Sequence, residues 1–317
     1  MGRSEMKREL VAMLSNDVET TSIWFNDLRD ETGERVLKDT MPVLLDMYRK
    51  YKVKSTFFYT GHIAKLFPDI VRMIIADGHE IGSHGKSHLV ENGFDIMPYE
   101  KQMRHLEYSK KLLEDISGES VVSFRAPALR VSPVTARALI ETGFLIDSSV
   151  SSLRFDFFLS FGSMGKFKFL FSPRKPYFVN QNNIYARGTS SLLEVPPSAI
   201  LMPFTGSTIR VFPTLGHVLR NILHFETRLT GKPLVFYMHP SEFVDESSEP
   251  RTIKRRSQNP IKYLLTDVVR ARLKTRNLGP VAYPVYEKML DWYAHSSYGF
   301  VTLSEYRDMI LTKKAAE

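Results

Sequence analysis

With 43% hydrophobic and 25% charged residues, the 317-residue chain has the composition of a globular protein, which excludes disordered, collagen-like and coiled-coil classes. Lys and Arg outnumber Asp and Glu by 43 to 35, and the resulting net charge of +8 is compatible with a nucleic acid, an anionic membrane or an acidic ligand. The absence of cysteine excludes disulfides, thiolate metal sites and a cysteine nucleophile. The charged N-terminus has no apolar signal segment and no long apolar stretch follows, so we expect a cytoplasmic protein.

Strand-like apolar runs alternate with helical patterns along the whole chain. Short β-branched or aromatic runs predict strands over residues 10–14, 54–59, 79–84, 121–124, 192–195, 234–238 and 300–303. Apolar residues at helical spacing predict helices over residues 41–51, 68–76, 98–116, 132–141, 215–229 and 285–293. Repeated βα units indicate a mainly parallel sheet, either open or closed into a barrel.

Two segments interrupt this alternation. Residues 154–178 are rich in Phe among Lys and Arg, and residues 245–277 begin acidic and become basic. The βα pattern resumes after each, so we interpret them as insertions, near 151–190 and 245–280, in one domain spanning 1–317. The first could lie on an anionic membrane, peripherally, or form a packed lid over the cleft. The second has no nucleic-acid recognition motif, so nucleic acid is an unlikely partner and a solvated basic face explains it as well.

Two histidines and two acids are the first candidate site residues. His84 and His88 are four residues apart, close enough to bind one metal ion. Asp17 and Glu19 follow the first strand-like run, and residues two apart on an extended chain point to the same face. A divalent ion such as Zn²⁺ accepts two imidazoles and a carboxylate, so one acid could be a ligand and the other a base. Taken separately, polar loop histidines and solvated turn acids also explain these pairs.

The next candidates follow two other strand-like runs. Arg125 could hold a carboxylate base ionised and fix its orientation. Pro127 stiffens the next turn, in which the Ala128 N–H could point at an oxyanion. His239 leaves an apolar strand and suits general acid catalysis, because a histidine pKa can be tuned near neutrality. A surface turn and a hydrogen-bonded core histidine are the simpler alternatives.

The shared position of four candidates favours catalysis. Each ends a different predicted strand: Asp17, His84, Arg125 and His239. In α/β barrels the C-terminal ends of the strands carry the active site, whereas structural polar residues have no reason to gather there.

These motifs resemble, in order, those of the polysaccharide deacetylase family, also called the NodB homology domain or carbohydrate esterase family 4. Residues 16–19 (Asn-Asp-Val-Glu) resemble the first motif, 84–88 (His-Gly-Lys-Ser-His) the second, 125–127 (Arg-Ala-Pro) the third and 236–239 (Phe-Tyr-Met-His) the fifth. The resemblance covers about residues 10–306. Strings such as 147–150 (Asp-Ser-Ser-Val) are similar to a branch found with exopolysaccharide genes.

The resemblance implies an irregular (β/α)7 TIM-like barrel and a hydrolase of carbon–nitrogen bonds. Its activity would be removal of N-acetyl groups from an amino-sugar-containing glycan or glycan precursor, with release of acetate. One divalent ion, preferably Zn²⁺, is implied, and by position its ligands are Glu19, His84 and His88. Asp17 resembles the catalytic base, although the swapped roles of Asp17 and Glu19 remain open.

The remaining roles follow the same resemblance, with departures. Arg125 orients the base and His239 is the catalytic acid. Ala128 replaces the usual tyrosine, and the family uses the backbone N–H of this position as oxyanion donor, so that role can survive. The fourth motif is not recognisable, and Glu194 is the nearest candidate partner for His239 or Arg125.

Two alternatives stay open. The first is a related amidohydrolase acting on another C–N bond, such as a deformylase of a lipid-linked amino sugar. The second is a catalytically silent glycan-binding barrel, because the fourth motif is missing. With no export signal, we expect a cytoplasmic glycan, a nucleotide sugar or a lipid-linked saccharide as substrate. The sequence does not indicate an oligomeric state.

Overall fold

The computed structural model describes residues 10–20, 28–154, 164–246 and 258–316. Within these ranges the strands are Leu10–Val18 (β1), Ser55–Tyr59 (β2), Glu80–Ser83 (β3), Ser123–Phe124 (β4), Ile146–Asp147 (β5), Tyr177–Asn180 (β6), Asn183–Arg187 (β7), Leu193–Glu194 (β8), Ala199–Ile200 (β9), Met202–Pro203 (β10), Leu234–Met238 (β11) and Tyr298–Phe300 (β12). The α-helices are Asp30–Arg35 (α1), Met41–Tyr51 (α2), Gly61–Leu66 (α3), Pro68–Ala76 (α4), Tyr99–Ser117 (α5), Thr135–Glu141 (α6), Gly206–Val211 (α7), Pro213–Thr230 (α8), Pro260–Tyr263 (α9), Arg270–Thr275 (α10), Tyr283–His295 (α11) and Leu303–Ala316 (α12).

A curled parallel sheet forms the centre of the molecule. In the described ranges, seven strands pair in parallel in the order β11-β1-β2-β3-β4-β5-β8, and β12 pairs in parallel with the first residues of β1. The chain after β8 returns to β11, where the Ser198 amide donates to the Val235 carbonyl at 2.9 Å and Thr205 forms a parallel bridge with Tyr237. The sheet therefore curls back on itself, and the prediction of an irregular (β/α)7 barrel is confirmed.

Strand β1 is buried on both faces, as expected for a central strand of a parallel sheet. Met13 packs inside the barrel with Phe58, whereas Ala12 and Leu14 belong to the larger core beneath the helices. The prediction that this strand ends at residue 14 was wrong. It continues to Val18, because the polar side chains that follow find partners inside the fold; Ser15 Oγ, for example, donates to the Phe236 carbonyl at 3.0 Å.

Helix α8 packs on the outside of the barrel and shows why these segments are helical. Proline at its first turn suits the start of a helix, where an N–H would lack an acceptor. The side that faces the core is buried at Gly216, Leu219, Leu223 and Thr227. The helix ends at Gly231, which has a φ of 70° and takes the left-handed conformation typical of a helix C-cap.

The C-terminal helix α12 closes the bottom of the barrel. Its first residue, Leu303, is buried in the inner cluster with Met13 and Val235. The Leu303 amide donates to Thr56 Oγ1 at 3.1 Å, and the Ser304 amide donates to a Glu80 carboxylate oxygen at 3.2 Å. The sequence predicted a strand over residues 300–303 instead; the strand is Tyr298–Phe300, and the helix begins where the strand was expected to end.

The two interrupting segments contain structure of their own. The first holds the antiparallel hairpin β6–β7, and β6 also pairs antiparallel with β8 at the edge of the sheet. The second holds α9 and α10. Residues 155–163 of the first segment and residues 247–257 of the second lie outside the described residues. In the described part of the chain, no helix is long and apolar enough to cross a membrane.

Candidate active site and metal centre

The candidate residues meet at one end of the barrel. Asp17 lies near the C-terminal end of β1 and Glu19 directly follows it, while His84 follows β3, Arg125 follows β4 and His239 follows β11. Because these strands are parallel neighbours, their C-terminal ends share one rim. Side chains that are more than 200 residues apart in the sequence therefore lie close enough together at this rim to act on one substrate.

Glu19, His84 and His88 form a group able to bind a metal ion. Glu19 Oε2 lies 3.3 Å from His84 Nε2 and 3.0 Å from His88 Nε2, and the three ligand atoms lie within 4.8 Å of one another. Burial would raise the pKa of Glu19, but His88, His84 and His239 outweigh burial and hold it well below its ordinary value. Glu19 is therefore an ionised carboxylate.

The orientation of His84 fits a metal ligand. Its Nδ1 lies 2.7 Å from the Arg125 carbonyl oxygen, which can only accept, so Nδ1 donates to it and Nε2 is the ring nitrogen that faces Glu19. Two imidazoles and a carboxylate are a common ligand set for Zn²⁺ with an open position for water, so these residues fit a divalent ion.

Local backbone structure positions the second histidine. Gly85 has a φ of +68°, a conformation that favours glycine, and a Cβ there would meet the Phe94 ring at 3.1 Å. The Gly61 and His62 amides at the start of α3 donate to the carbonyls of Gly85 and Lys86, each at 2.9 Å. The loop therefore turns back and brings His88 beside His84.

Asp17 is held by Arg125 inside the barrel. Both side chains are buried, and Arg125 NH1 lies 2.8 Å from Asp17 Oδ1. The guanidinium also donates to the Ser148 carbonyl from Nε at 3.0 Å and to Ser148 Oγ from NH2 at 2.8 Å. Its planar face packs on the Phe58 and Tyr237 rings, with Cζ 4.4 and 4.9 Å from the centroids. The carboxylate orientation is therefore fixed, and the structure pairs Arg125 with Asp17 rather than with Glu19.

His239 has a carboxylate partner that the sequence analysis missed. His239 Nδ1 lies 3.0 Å from Glu242 Oε1, and Glu242 is held in turn by Arg210 Nε at 2.9 Å and Ser207 Oγ at 3.0 Å. Burial lowers the pKa of His239, but Glu242 and Glu19 outweigh burial and raise it to about 9. Burial raises the pKa of Glu242, but Arg210 and His239 outweigh it and lower it to about 2. His239 is thus protonated at neutral pH.

A signal for Glu242 exists in the sequence. The 3₁₀ turn Pro240–Phe243 follows His239 directly, and in such a turn residues three apart lie on the same side. His239 Nε2 lies 3.7 Å from Glu19 Oε1, so the histidine faces the metal-binding group while its other nitrogen faces Glu242. No sequence pattern indicated Arg210.

Glu194 lies elsewhere. It is fully buried beside Asp147, its partner in the parallel register of β5 and β8, and accepts the Val150 amide at 2.9 Å. Burial raises the pKa of both acids, and the charge of Asp147 raises that of Glu194 further. The carboxylates that contact His239 and Arg125 are Glu242 and Asp17. The charge of Arg125 still acts on Glu194 and lowers its pKa, so the expectation is corrected for His239, whose partner is Glu242.

Ala128 sits in a strained turn beside the site. It has a φ of 52° and the following Leu129 a φ of 54°, both in the left-handed region that side chains disfavour. Strain of this kind is concentrated at functional sites. The turn is anchored by the Ala126 amide, which donates to Ser149 Oγ at 2.8 Å. The oxyanion role of the Ala128 N–H stays a prediction.

Comparison with known proteins agrees with this geometry. Residues 15–146 match the model of a family described as polysaccharide deacetylase. Over these residues the chain is similar to the polysaccharide deacetylase family. The match includes Asp17, Glu19, His84, His88 and Arg125, and it ends before His239. The resemblance inferred from the motifs is therefore confirmed.

Two relatives that are similar to part of this chain carry named activities. A peptidoglycan deacetylase from Helicobacter pylori is 28% identical over 152 residues, which cover 46% of this chain and 51% of that protein. A peptidoglycan-N-acetylglucosamine deacetylase from Bacillus cereus is 30% identical over 130 residues, which cover 41% of this chain and 55% of that protein. The chain spans about half the length of these relatives.

Solved structures extend the likeness in fold to nearly the whole chain. A protein from Mycobacterium smegmatis that is assigned to the polysaccharide deacetylases superposes with a TM-score of 0.61 at 16% identity, covering 99% of this chain and 94% of that one. Puue allantoinase superposes with a TM-score of 0.55 at 14% identity, covering 92% and 88%. At these identities the likeness concerns the fold alone.

Proposed function

We propose that the protein is a metal-dependent deacetylase that removes N-acetyl groups from an amino-sugar-containing glycan or glycan precursor. One observation carries the proposal: a metal-binding group, a buried acid–arginine pair and a protonated histidine meet at the rim of one barrel. The names of the relatives, which act on peptidoglycan, support this substrate class.

Glu19, His84 and His88 would hold the metal ion. A divalent ion such as Zn²⁺ supplies a Lewis acid there and lowers the pKa of a bound water. The ionised state of Glu19 and the orientation of His84, whose Nδ1 faces the Arg125 carbonyl and whose Nε2 faces Glu19, support this assignment. Because Arg125 already binds Asp17, the acid left for the ion is Glu19.

The chain's own residues would carry the proton transfers. The oxygen of the water attacks the acetamido carbonyl carbon, and Asp17, held by Arg125, accepts the proton that this water loses. The Ala128 N–H donates to the oxyanion that forms. His239 donates its proton to the nitrogen as the C–N bond breaks, and acetate and a free amine leave. The raised pKa of His239 supports this role, because the group is in its acid form at neutral pH.

Acetate release and metal content together test the proposal. We expect purified protein to bind about one divalent ion per chain and to release acetate from N-acetylglucosamine oligomers. Asp17→Asn and His239→Ala should each lower the rate by about 100-fold or more, while both keep the metal. Glu19→Gln and His84→Ala should lose metal and activity together.

Matched variants away from the rim serve as controls. Asp46→Asn on α2 and His217→Ala on α8 remove the same groups from exposed positions and should keep full activity. Full activity of Asp17→Asn or His239→Ala would disprove the roles assigned. Formate instead of acetate from formamido sugars would favour the related amidohydrolase, and bound metal without any turnover would favour a silent glycan-binding barrel.

A further inference from the structure

Helix α8 presents an apolar stripe to solvent. Val218, Ile222, Phe225 and Leu229 are spaced by four, three and four residues, so they lie along one side of the helix. Within the described part of the chain these side chains are exposed by 50, 44, 62 and 63%, respectively. The opposite side of the helix is buried in the core, so the stripe is not needed to pack the helix against the barrel.

Positive charge lines both sides of this stripe. On one side, by helical position, lies the exposed Arg228. On the other side lies Glu226, whose carboxylate is bound by Arg174 at 2.8 and 2.6 Å and by Lys232 at 3.1 Å. One acid between two cations leaves that cluster with a net positive charge. Anionic groups would therefore be attracted to both edges of the stripe.

A basic hollow lies at the C-terminal end of the helix, on the side where Thr227 faces the core. A cavity of about 480 Å³ is lined by Lys175, Lys313 and Tyr306, and by Thr227 and Thr230 of α8. In the part of the chain that the structure describes, no acidic residue lines it. Lys175 Nζ donates to the Thr230 carbonyl at 2.7 Å, which holds one cation at the C-terminal end of the helix.

We propose that the α8 stripe and the cations along its two edges bind the surface of an anionic phospholipid bilayer. The apolar side chains enter the interface between headgroups and acyl chains, and the cations on either side meet headgroup phosphates. Charge complementarity favours a bilayer over a second copy of the chain, because two-fold pairing through the stripe would bring the same cations together. The net charge of +8 acts in the same direction.

This surface is distinct from the catalytic rim and does not rest on the proposed function. The beginning of α8 follows α7, which carries Arg210, the residue that holds Glu242. A helix lying flat on a bilayer would therefore bring the rim near the membrane plane at one end and place the hollow at the other. A substrate attached to lipid would be within reach of a site in that position.

Vesicle flotation tests the surface directly. We expect the full chain to float with vesicles of phosphatidylcholine containing a third phosphatidylglycerol, and not with phosphatidylcholine alone. The double variant Phe225→Ser/Leu229→Ser should lower the bound-to-free ratio by about tenfold or more, since both apolar anchors are lost. Arg228→Glu should lower it by about fivefold or more, and added salt should weaken the wild type as well.

The matched control is Leu66→Ser/Ile96→Ser, which removes two apolar side chains, exposed by 44 and 57%, from outside α8. It should bind vesicles as the wild type does, and thermal unfolding should be unchanged in both double variants. Equal loss in the two double variants, undiminished binding of the α8 variant, or equal binding to neutral vesicles would overturn the proposal. So would a dimer without vesicle binding that Phe225→Ser/Leu229→Ser converts to a monomer, which would assign the stripe to a second copy.

Discussion

The carboxylate partner of His239 comes from the turn that directly follows it in the chain. The sequence analysis found the histidine because it ends an apolar strand, and it searched for the partner on another strand, at Glu194. The partner is Glu242, three residues later. Spacing of three is common in any sequence, and only the buried contact with Arg210 distinguishes this glutamate from an exposed one. That contact joins positions 32 residues apart, so sequence pattern alone could not reveal it.

Replacing Glu242 by Gln should move the pH dependence of the reaction. The variant lacks the charge that raises the pKa of His239 to about 9, so this pKa should fall and less of the acid form should exist at neutral and alkaline pH. We expect kcat/KM to drop by about tenfold or more, and the alkaline limb of its pH profile to move to lower pH. Glu107→Gln, an exposed change on α5, is the control. A profile with an unmoved alkaline limb would contradict the positioning role.

The buried pair Asp147 and Glu194 should make folding stability depend on pH. Both carboxyls have raised pKa values in the folded protein, so the folded state keeps a proton that the unfolded chain loses. Their contribution to stability is therefore present at low pH and is lost as pH rises through the folded-state pKa values. Glu194→Gln replaces one carboxyl by a neutral amide and should reduce this loss by about 1 to 3 kcal/mol between acidic and alkaline pH.

Urea unfolding at a series of pH values measures this effect. The two proteins share all other titrating groups, so the difference between their curves isolates the pair. Glu107→Gln should follow the wild-type curve, since that side chain is exposed. Parallel curves for the wild type and Glu194→Gln would refute the explanation.

At the scale of elements, the repeating units were predictable and their boundaries were less so. Helices over residues 41–51 and 68–76 were predicted with the observed bounds, because their apolar spacing and first-turn prolines agree. Strand β1 was predicted too short, because polar residues usually begin where a buried strand ends. Here the polar residues after Leu14 still belong to the strand, and they lie at the rim of the barrel. Helix α3 was not predicted, because Gly61 was interpreted only as the end of the preceding strand. A six-residue helix begins at this glycine.

Glu80 is the strongest single anchor of α12, and its removal should destabilise the fold. It accepts the Thr56 hydroxyl at 2.6 Å, the Ser123 hydroxyl at 2.5 Å and the Ser304 amide at 3.2 Å. Glu80→Ala leaves these donors without an acceptor and should lower the free energy of unfolding by about 2 to 4 kcal/mol, measured by urea denaturation. Glu305→Ala removes only an exposed cap on the Thr302 amide and should cost about 1 kcal/mol. Equal losses of unfolding free energy in the two variants would show that the three hydrogen bonds of Glu80 stabilise the fold no more than the cap of Glu305 does.

Over the whole molecule, the strand and helix patterns predicted a mainly parallel sheet, and the family resemblance implied its closure into a barrel. The group of residues at the rim was predicted because each candidate followed its own strand. It could not predict the hairpin β6–β7, whose antiparallel pairing with β8 depends on a distant edge. Nor could it identify the stripe on α8: its apolar spacing indicated a helix, but which apolar residues face the core is decided by the neighbours.

Asp17 and Glu19, two residues apart on one extended segment, are separated by about 7 Å along the direction of the strand. The deeper acid is already engaged by Arg125, while the outer one stands at the mouth with His88, which is partly open to solvent. Under the proposed function, a cation would therefore enter and leave at the mouth of the barrel without disturbing the pair beneath. The proposed proton acceptor would then keep its orientation whether or not the ion is bound.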